Sequence, residues 1–338
     1  MNNLDYYHDK KILITGGCGS VGSAILNVLI KFNPKRVSIL DNNESALFYL
    51  QQKFNSYNNI RYLVGDVREK QRLRDALDGI DIVFHAAALK HVPLCEYNPD
   101  EAVKTNIFGT LNLIEVAREY NTPKVISIST DKAVNPINTM GATKLISEKL
   151  ILRGNRGSNT TKFSCVRFGN VLNSNGSVIP LFKEQIKSGG PVTITSDKMT
   201  RFFMSMPQAA NLVLEAGRIS EGYEIFILKM NALKIIDLAE VLIEEICSQQ
   251  KIPKNNISIK SIGLRPGEKL YEALFTSEEI QNILETDKMY IIKENEIDPS
   301  FHQNGVSPQN TIKSYSSADT KLLSKEEIKQ ILKEQKII

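Results

Sequence analysis

The chain is poor in the features that mark metalloproteins, secreted scaffolds and membrane proteins. Its four cysteines, Cys18, Cys95, Cys165 and Cys247, lie far apart and show no metal-type spacing. That pattern suits reduced thiols in a cytosol, so the expected location is cytoplasmic. The four histidines, His8, His85, His91 and His302, are equally isolated, and no metal is expected. No apolar run approaches the ~18 residues of a membrane span, and the N-terminus lacks the apolar stretch of a signal peptide. Repeats and low-complexity tracts are absent. So are basic blocks: 42 Lys and Arg and 38 Asp and Glu are spread through the chain, for a net charge of +4. Nucleic acid is therefore not an expected partner, while the mild positive excess is compatible with a small anionic substrate. What remains, 42% hydrophobic and 24% charged residues, is the composition of an ordinary globular enzyme. At 338 residues the chain is long for a single core, which predicts one large domain with a satellite lobe.

The stretch that organises the rest is 129–144, Ser-Thr-Asp-Lys-Ala-Val-Asn-Pro-Ile-Asn-Thr-Met-Gly-Ala-Thr-Lys. The Val- and Ile-rich run Lys124 to Ile128 before it reads as a buried parallel strand. Thr130, Asp131 and Lys132 then lie just past a strand's carboxyl end, where open α/β sheets bind ligands. A helix pattern begins near Thr139, and Met140 and Lys144, four residues apart, share one of its faces.

Upstream, the strand Lys11 to Thr15 runs into Gly16-Gly17-Cys18-Gly19-Ser20-Val21-Gly22 and a helix to about Phe32. This is a dinucleotide-binding context. Gly16 allows a tight turn, Gly19 lets backbone N–H groups approach a pyrophosphate, and Gly22 allows close helix packing. Cys18 reads as a small loop residue. A second strand, Arg36 to Leu40, ends at Asp41, placed to bind ribose hydroxyls and repel a 2′-phosphate. NAD is favoured over NADP on that ground, with a helix N-cap as the alternative role of Asp41. Asp66, closing the strand Ile60 to Val64 ahead of Val67, either meets the adenine edge or caps a helix starting near Glu69. After a fourth strand, Asp81 to Phe84, Ala86, Ala87 and Ala88 suit backbone lying against a flat cofactor. Lys90, in a loop through Pro93, either reaches a phosphate or is a solvated lysine. A helix is predicted from Pro99 to about Tyr120, and its polar Asn106 reads as a backbone staple that positions the site loop.

Beyond the strand Phe163 to Arg167 the β–α alternation, which gives a doubly wound parallel α/β sheet, gives way to turn formers at Asn170 to Gly176. Ser177 to Lys187 looks helical despite Pro180. Arg201 and Arg265 stand near turns and suit phosphate oxygens. Ile235, Leu238, Ala239, Leu242, Ile243 and Ile246 trace a core-facing helix stripe. Residues 293–320 read as irregular and polar, and a mostly charged helix, about Ser324 to Lys336, as peripheral or an oligomer contact. The expected organisation is a Rossmann domain over 1–168 and a smaller lobe over 169–338, with segments at about 200–235 returning to the first domain.

Five segments, His85-Ala-Ala-Ala-Leu-Lys-His-Val-Pro93, Ser129-Thr-Asp-Lys-Ala-Val-Asn-Pro136, Val166-Arg-Phe-Gly-Asn-Val-Leu172, Met199-Thr-Arg-Phe-Phe-Met204 and Arg265-Pro-Gly-Glu-Lys-Leu-Tyr-Glu272, carry a family resemblance. The chain from Lys11 to about Phe275 resembles the extended short-chain dehydrogenase/reductases. Within them it looks like the nucleotide-sugar 4,6-dehydratases of capsule and flagellin-glycan biosynthesis, which act on UDP-N-acetylglucosamine. Because the chain begins almost at its first strand, it resembles the short members without an N-terminal membrane region.

The resemblance implies an NAD-dependent, internally redox-neutral reaction: oxidation at sugar C4, loss of water across C5 and C6, and hydride return to C6. It assigns Thr130 to the C4 hydroxyl, Asp131 as acid, Lys132 as base at C5, and Lys144 to the nicotinamide ribose. Cofactor contacts fall to Gly16, Gly19, Ser20, Val21, Gly22, Asp41, Asp66, Val67, Ala86, Ala87, Ala88, Asn106 and Lys144. Substrate contacts fall to Lys90, Asn170, Val178, Arg201, Arg265 and Glu268. A homo-oligomer acting on a UDP-sugar is implied. The chemistry needs Asp131 protonated and Lys132 a free amine. Burial pushes both that way and their mutual attraction opposes it, so desolvation has to dominate. Met140 stands where the superfamily usually has a tyrosine base, and a thioether cannot accept that proton usefully. A water relay to Lys144, or Asp131 acting twice, remains for the oxidation step. A UDP-sugar 4-epimerase and a non-catalytic dinucleotide-binding protein are the competing readings.

Overall fold

A computed structural model describes residues 3–158, 160–253, 256–293 and 315–338. Short Val-, Ile- and Leu-rich runs form the strands β1 (Lys11–Thr15), β2 (Arg36–Asp41), β3 (Ile60–Val64), β4 (Ile82–His85), β5 (Lys124–Ile128) and β6 (Lys162–Arg167). They pair in parallel in the order β3-β2-β1-β4-β5-β6, reversing direction of growth between β1 and β4. That reversal is the topological switch point at which doubly wound sheets bind ligands.

The crossovers are helical. They comprise α1 (Ser20–Leu29), α2 (Glu44–Lys53), α3 (Lys70–Leu77), α4 (Val92–Tyr97), α5 (Pro99–Ala102), α6 (Gly109–Glu119) and α7 (Thr139–Arg153). The sequence placed a loop at 90–93, but α4 begins at Val92. Pro93 fits its first turn, where the missing N–H would have no intrahelical partner. The single helix expected from Pro99 also differs. Between α5 and α6 the chain widens into a π-helical turn, Val103–Phe108, that carries Asn106.

A smaller lobe follows, built from β7 (Asn170–Val171), α8 (Val178–Lys187), β8 (Val192–Ile194), β9 (Thr200–Met204), β11 (Ala232–Lys234), α10 (Ile235–Gln250), β12 (Ile259–Ser261) and α11 (Lys325–Glu334). Pro180 sits in the first turn of α8, so the helix survives it. The predicted α10 stripe is buried and packs with Ile179, Phe182 and Ile186 of α8. Helix α11 docks Ile328 and Leu332 into the same core and begins with a capping box between Ser324 and Glu327.

Four elements of this half join the main sheet or its faces. Helix α9 (Met206–Ile219) packs on α1, and β10 (Glu224–Leu228) pairs in parallel with β6. Then β14 (Met289–Lys293) pairs antiparallel with β10, and β13 (Ile283–Glu285) with β14. Most of the 293–320 stretch read as irregular, residues 294–314, lies outside the described residues. No helix among the described residues is long and apolar enough to cross a membrane.

Candidate active site

The first βα turn makes the floor of a cleft. Gly16 adopts φ 65°, and a Cβ there would lie 2.6 Å from the Ala87 nitrogen. A Cβ on Gly22 would lie 2.4 Å from the Gly16 carbonyl oxygen. Only glycine lets this loop lie so close to the β4 loop and to α1. Gly19 caps α1 without a side-chain hydrogen bond, and the first turn holds no acid. The unpaired N–H groups and the positive helix end thus form an anion site.

Asp41 accepts from the Cys18 N–H at 2.9 Å and from the Asn43 N–H at 3.0 Å. It is not the N-cap of α2. That role belongs to Asn43, whose side chain accepts from Ala46. Asp66 is likewise not the cap of α3, which is Glu69. Asp66 instead accepts from the Arg68 backbone (2.9 Å) and guanidinium (2.7 Å) and from Asn42 (3.2 Å). Burial alone would raise its carboxyl, but the Arg68 and Asn42 hydrogen bonds hold it below the ordinary range. The Cys18 thiol is pushed up to about 12 by burial and by Asp41, which leaves it unreactive.

The cleft above the turn has a volume of about 470 Å³. Of the predicted residues it gathers Gly16, Gly19, Ser20, Val21, Gly22, Ala86, Ala88, Lys90, Thr130, Lys132, Met140, Lys144, Asn170 and Val178 on its walls. Val67 is buried against Gly109. Asn106 is buried behind the wall. It accepts from the Leu89 N–H (2.8 Å) and donates to the Leu89 carbonyl and the Thr143 hydroxyl (both 3.0 Å). It staples the β4 loop to α7, and the widened π turn presents it there, as such turns do at functional sites.

Sequence reading missed the turn at Ser174 to Ser177 as a wall of the cleft. Lys90 Nζ donates to the Asn175 carbonyl at 2.8 Å, and the Asn175 N–H donates to Ser20 Oγ at 3.0 Å. Its turn-forming composition was visible, but its partners lie far away in sequence.

At the carboxyl end of β5 the chain turns tightly. Thr130 caps a 3-10 turn, Asp131–Ala133, and the Asp131 N–H donates to the Phe168 carbonyl at 3.1 Å. Asp131 is fully buried. Its Oδ1 accepts from Thr130 Oγ1 and from Lys132 Nζ, both at 2.9 Å. Its Oδ2 makes no hydrogen bond among the described residues. Lys132 Nζ also lies 3.5 Å from Asn170 Oδ1 and 3.8 Å from Glu272 Oε1.

Glu272 corrects the expectation for Lys132. Burial does push the ammonium toward neutrality, but Asp131 and Glu272 together outweigh it and hold Lys132 above its ordinary range. Desolvation does not dominate. Nothing in the spacing tied an acid at 272 to a lysine 140 residues earlier, although Glu272 closes one of the family-like segments.

Lys144 donates to the Ile128 carbonyl at 2.6 Å, and burial holds it below its ordinary range. Met140, one turn earlier, is buried against Cys95 and Ala102. Behind them His85 is kept neutral at about 3 by burial and by Lys144, its ring between Thr15 (2.7 Å) and Thr110 (3.3 Å).

Arg201, Arg265 and Glu268 do not line this cleft. Arg201 is buried and spent on backbone: it donates to Thr200 (2.8 Å), Leu270 (3.1 Å) and Lys269 (2.7 Å) carbonyls. Arg265 is exposed, and its N–H donates to Glu268 at 3.1 Å.

The glycine cradle, the uncapped α1 N-terminus and Asp41 fit a dinucleotide: a side chain at Gly16 or Gly22 would strike the backbone of the β4 loop or of the turn itself and force the turn out of the shape that presents its N–H groups to a pyrophosphate.

Comparison with known proteins agrees. The model of the family described as "Polysaccharide biosynthesis protein" matches residues 12–294. An "Uncharacterized membrane protein MJ1061" of Methanocaldococcus jannaschii is 54% identical over 332 residues, 98% of this chain and 97% of that one. A UDP-N-acetylglucosamine 4,6-dehydratase (inverting) of Campylobacter jejuni is 43% identical over 290 residues, 85% and 83% of the two chains. A UDP-glucose 4-epimerase of Rickettsia typhi is 40% identical over 333 residues, 96% and 95%. The chain spans about half the length of the capsular polysaccharide biosynthesis protein CapD of Staphylococcus aureus, which is 47% identical over 289 residues, 83% of this chain and 48% of that one. Among solved structures, Pen from Bacillus thuringiensis superposes with a TM-score of 0.91 at 43% identity, covering 98% and 99% of the chains. By sequence, fold and cleft alike, the chain belongs to the polysaccharide biosynthesis protein family, on the Rossmann fold of the extended short-chain dehydrogenase/reductases.

Proposed function

We propose that the protein is a UDP-N-acetylglucosamine 4,6-dehydratase. The observation that carries this is the Asp131–Lys132 pair, an acid and a base 2.9 Å apart at the carboxyl end of β5 beside the cleft. NAD bound on the glycine turn supplies a hydride acceptor, and later donor, at the sugar. Asp41 favours NAD over NADP, since Arg68, the basic residue nearby, is already paired with Asp66 and Glu101 (both 2.7 Å). Lys144 holds the ribose, and Lys90, Asn170 and Val178 face the nucleotide sugar.

The proposed proton route is supported by the Thr130–Asp131 hydrogen bond. The C4 hydroxyl donates to Thr130 Oγ1, which in turn donates to Asp131 at 2.9 Å. The C4 hydroxyl proton passes through Thr130 to Asp131, and Asp131 gives it to the departing C6 oxygen, which leaves as water. Asp131 thus acts twice, and no tyrosine is needed where Met140 stands. Lys132, as a free amine, takes the C5 proton and later returns one to C5. Each proton is accounted for, and the pair ends as it began.

A UDP-sugar 4-epimerase is the second reading, favoured by the Rickettsia relative. It has no use for an acid–base pair at C5 and C6. NMR of the product from purified protein, NAD and UDP-N-acetylglucosamine decides. A 4-keto-6-deoxy sugar supports the proposal. UDP-N-acetylgalactosamine establishes an epimerase, and unchanged substrate a binding protein. The same reading includes a cytoplasmic homo-oligomer. Leu94 and Tyr97 of α4 and Phe108 of the π turn are exposed apolar side chains that a second copy could cover.

A further inference from the structure

Glu272 belongs to no role described so far, yet it is among the most buried carboxylates of the molecule, 3% exposed. It lies on a strap, residues 265–272, that crosses the catalytic turn. Asn138 Nδ2 donates to the Gly267 carbonyl and Lys269 Nζ to the Val134 carbonyl, both at 2.8 Å. Arg201 of β9 grips the Lys269 and Leu270 carbonyls. The Glu272 N–H donates to Ser317 Oγ at 3.0 Å. Backbone ties from three directions therefore fix where the Glu272 side chain begins.

Its carboxylate faces every charge of the centre. Lys132 Nζ is 3.8 Å from Oε1, Arg201 Nε 3.9 Å from Oε1, and Lys269 Nζ 3.9 Å from Oε2. Asp131 shares Lys132 with it, and Glu268 stands behind Arg201 at 4.0 Å. Oε2 makes no hydrogen bond among the described residues. A buried oxygen without a hydrogen bond is costly, and its persistence here asks for a reason.

We propose that Glu272 is the positioning residue of Lys132: it seats Nζ between two carboxylates and sets when that amine is free to take a proton. The inference rests on the dehydratase reading, in which Lys132 is the base at C5. At rest the two carboxylates hold Lys132 as the ammonium, so the enzyme does not present a reactive amine to an empty cleft. Glu272 itself is raised, first by burial and then by Asp131, while Lys132, Arg201 and Lys269 pull it down.

The test is the pH dependence of kcat in wild type, Glu272→Gln and Glu272→Asp, with UDP-N-acetylglucosamine. Turnover needs the free amine, so it rises with pH as Lys132 loses its proton. Removing one of two flanking carboxylates lowers that midpoint, by about 1–3 pH units for an opposite charge at this range. Glu272→Gln should move the ascending limb to lower pH and leave KM within about twofold. Glu272→Asp, which keeps the charge, should lie between it and wild type. A second readout needs no substrate: NMR titration of Lys132 Nζ in lysine-labelled protein, assigned by its loss in Lys132→Met, should show the same fall. An unmoved midpoint, or turnover lost with the profile unmoved, would make Glu272 a structural brace and overturn the inference. Wild-type protein that does not convert the sugar would overturn the dehydratase reading instead, and the titration would still decide the role of Glu272.

Discussion

At the residue scale the chemistry depends on the charge of a few buried groups. Lys132→Ala should cost at least the 10²–10⁴-fold that general acid–base catalysis supplies, measured as steady-state turnover, and oxidation at C4 should survive it. Normal turnover in that variant would remove Lys132 from the mechanism. The two arginines now separate. Arg265→Ala changes an exposed side chain that stands outside the cleft, and it should leave both UDP affinity and the melting temperature nearly unchanged. Arg201→Ala cuts the ties to Lys269 and Leu270 and bares Glu272, so it should lower the melting temperature. Calorimetric titration with UDP, set against thermal unfolding, distinguishes them; a marked fall in UDP affinity in Arg265→Ala would contradict its place outside the cleft. His85 predicts an acid sensitivity. Its folded value of about 3 lies below the ~6.5 of the unfolded chain. The unfolded state therefore binds the extra proton, and stability falls as pH drops from about 6.5 toward 3, by about 1.4 kcal/mol per pH unit at most. His85→Gln should flatten that slope in urea melts at pH 7 and pH 5, and an equal slope in both proteins would contradict it. The identities of Thr130, Asp131 and Lys132 were legible because they are contiguous. The state of Lys132 was not, because Glu272 reaches it only through the tertiary fold.

At the element scale, two devices position these residues. One is the β1–α1 turn. Gly22→Ala would press a Cβ onto the Gly16 carbonyl, so the purified variant should lose the dinucleotide while its strands remain; full retention would contradict the packing argument. Asp41→Ala should weaken the preference for NAD over NADP in binding assays. The other device is the π turn. Asn106→Ala would leave the Leu89 N–H short of its partner, at about 1–3 kcal/mol, and should loosen the β4 loop, while the Thr143 hydroxyl keeps its bond to the Met140 carbonyl. Hydrogen exchange at Leu89 measures this directly. The strands and most helices were legible from apolar runs and from glycine and proline placement. The π turn was not, because nothing in Val103 to Phe108 departs from helical periodicity. The caps of α2 and α3 fell to Asn43 and Glu69 because Asp41 and Asp66 are occupied by other partners, Cys18 and Arg68.

At the scale of the whole molecule, the doubly wound parallel sheet was legible in the β–α alternation, while its strand order and switch point came from the structure. The stretch expected to return to the first domain, about 200–235, contains β10, which does pair with β6. The addition of β14 and β13 beyond it was not legible, because nothing local in those short apolar runs distinguishes an edge strand of the main sheet from a strand of the smaller lobe. What the assembled molecule achieves is to bring a loop at 129–133 and a glycine turn at 16–22 to one cleft, with a strap at 265–272 set behind Lys132. The central claim is that this cleft carries out elimination across C5 and C6 with hydrogen passed internally from C4. Converting UDP-N-acetylglucosamine labelled with deuterium at C4, and separately converting unlabelled sugar in heavy water, tests it most directly. The account predicts that the C4 label appears at C6 of the same molecule and that solvent deuterium appears at C5. A label that stays at C4, or a product with no solvent deuterium at C5, would contradict it.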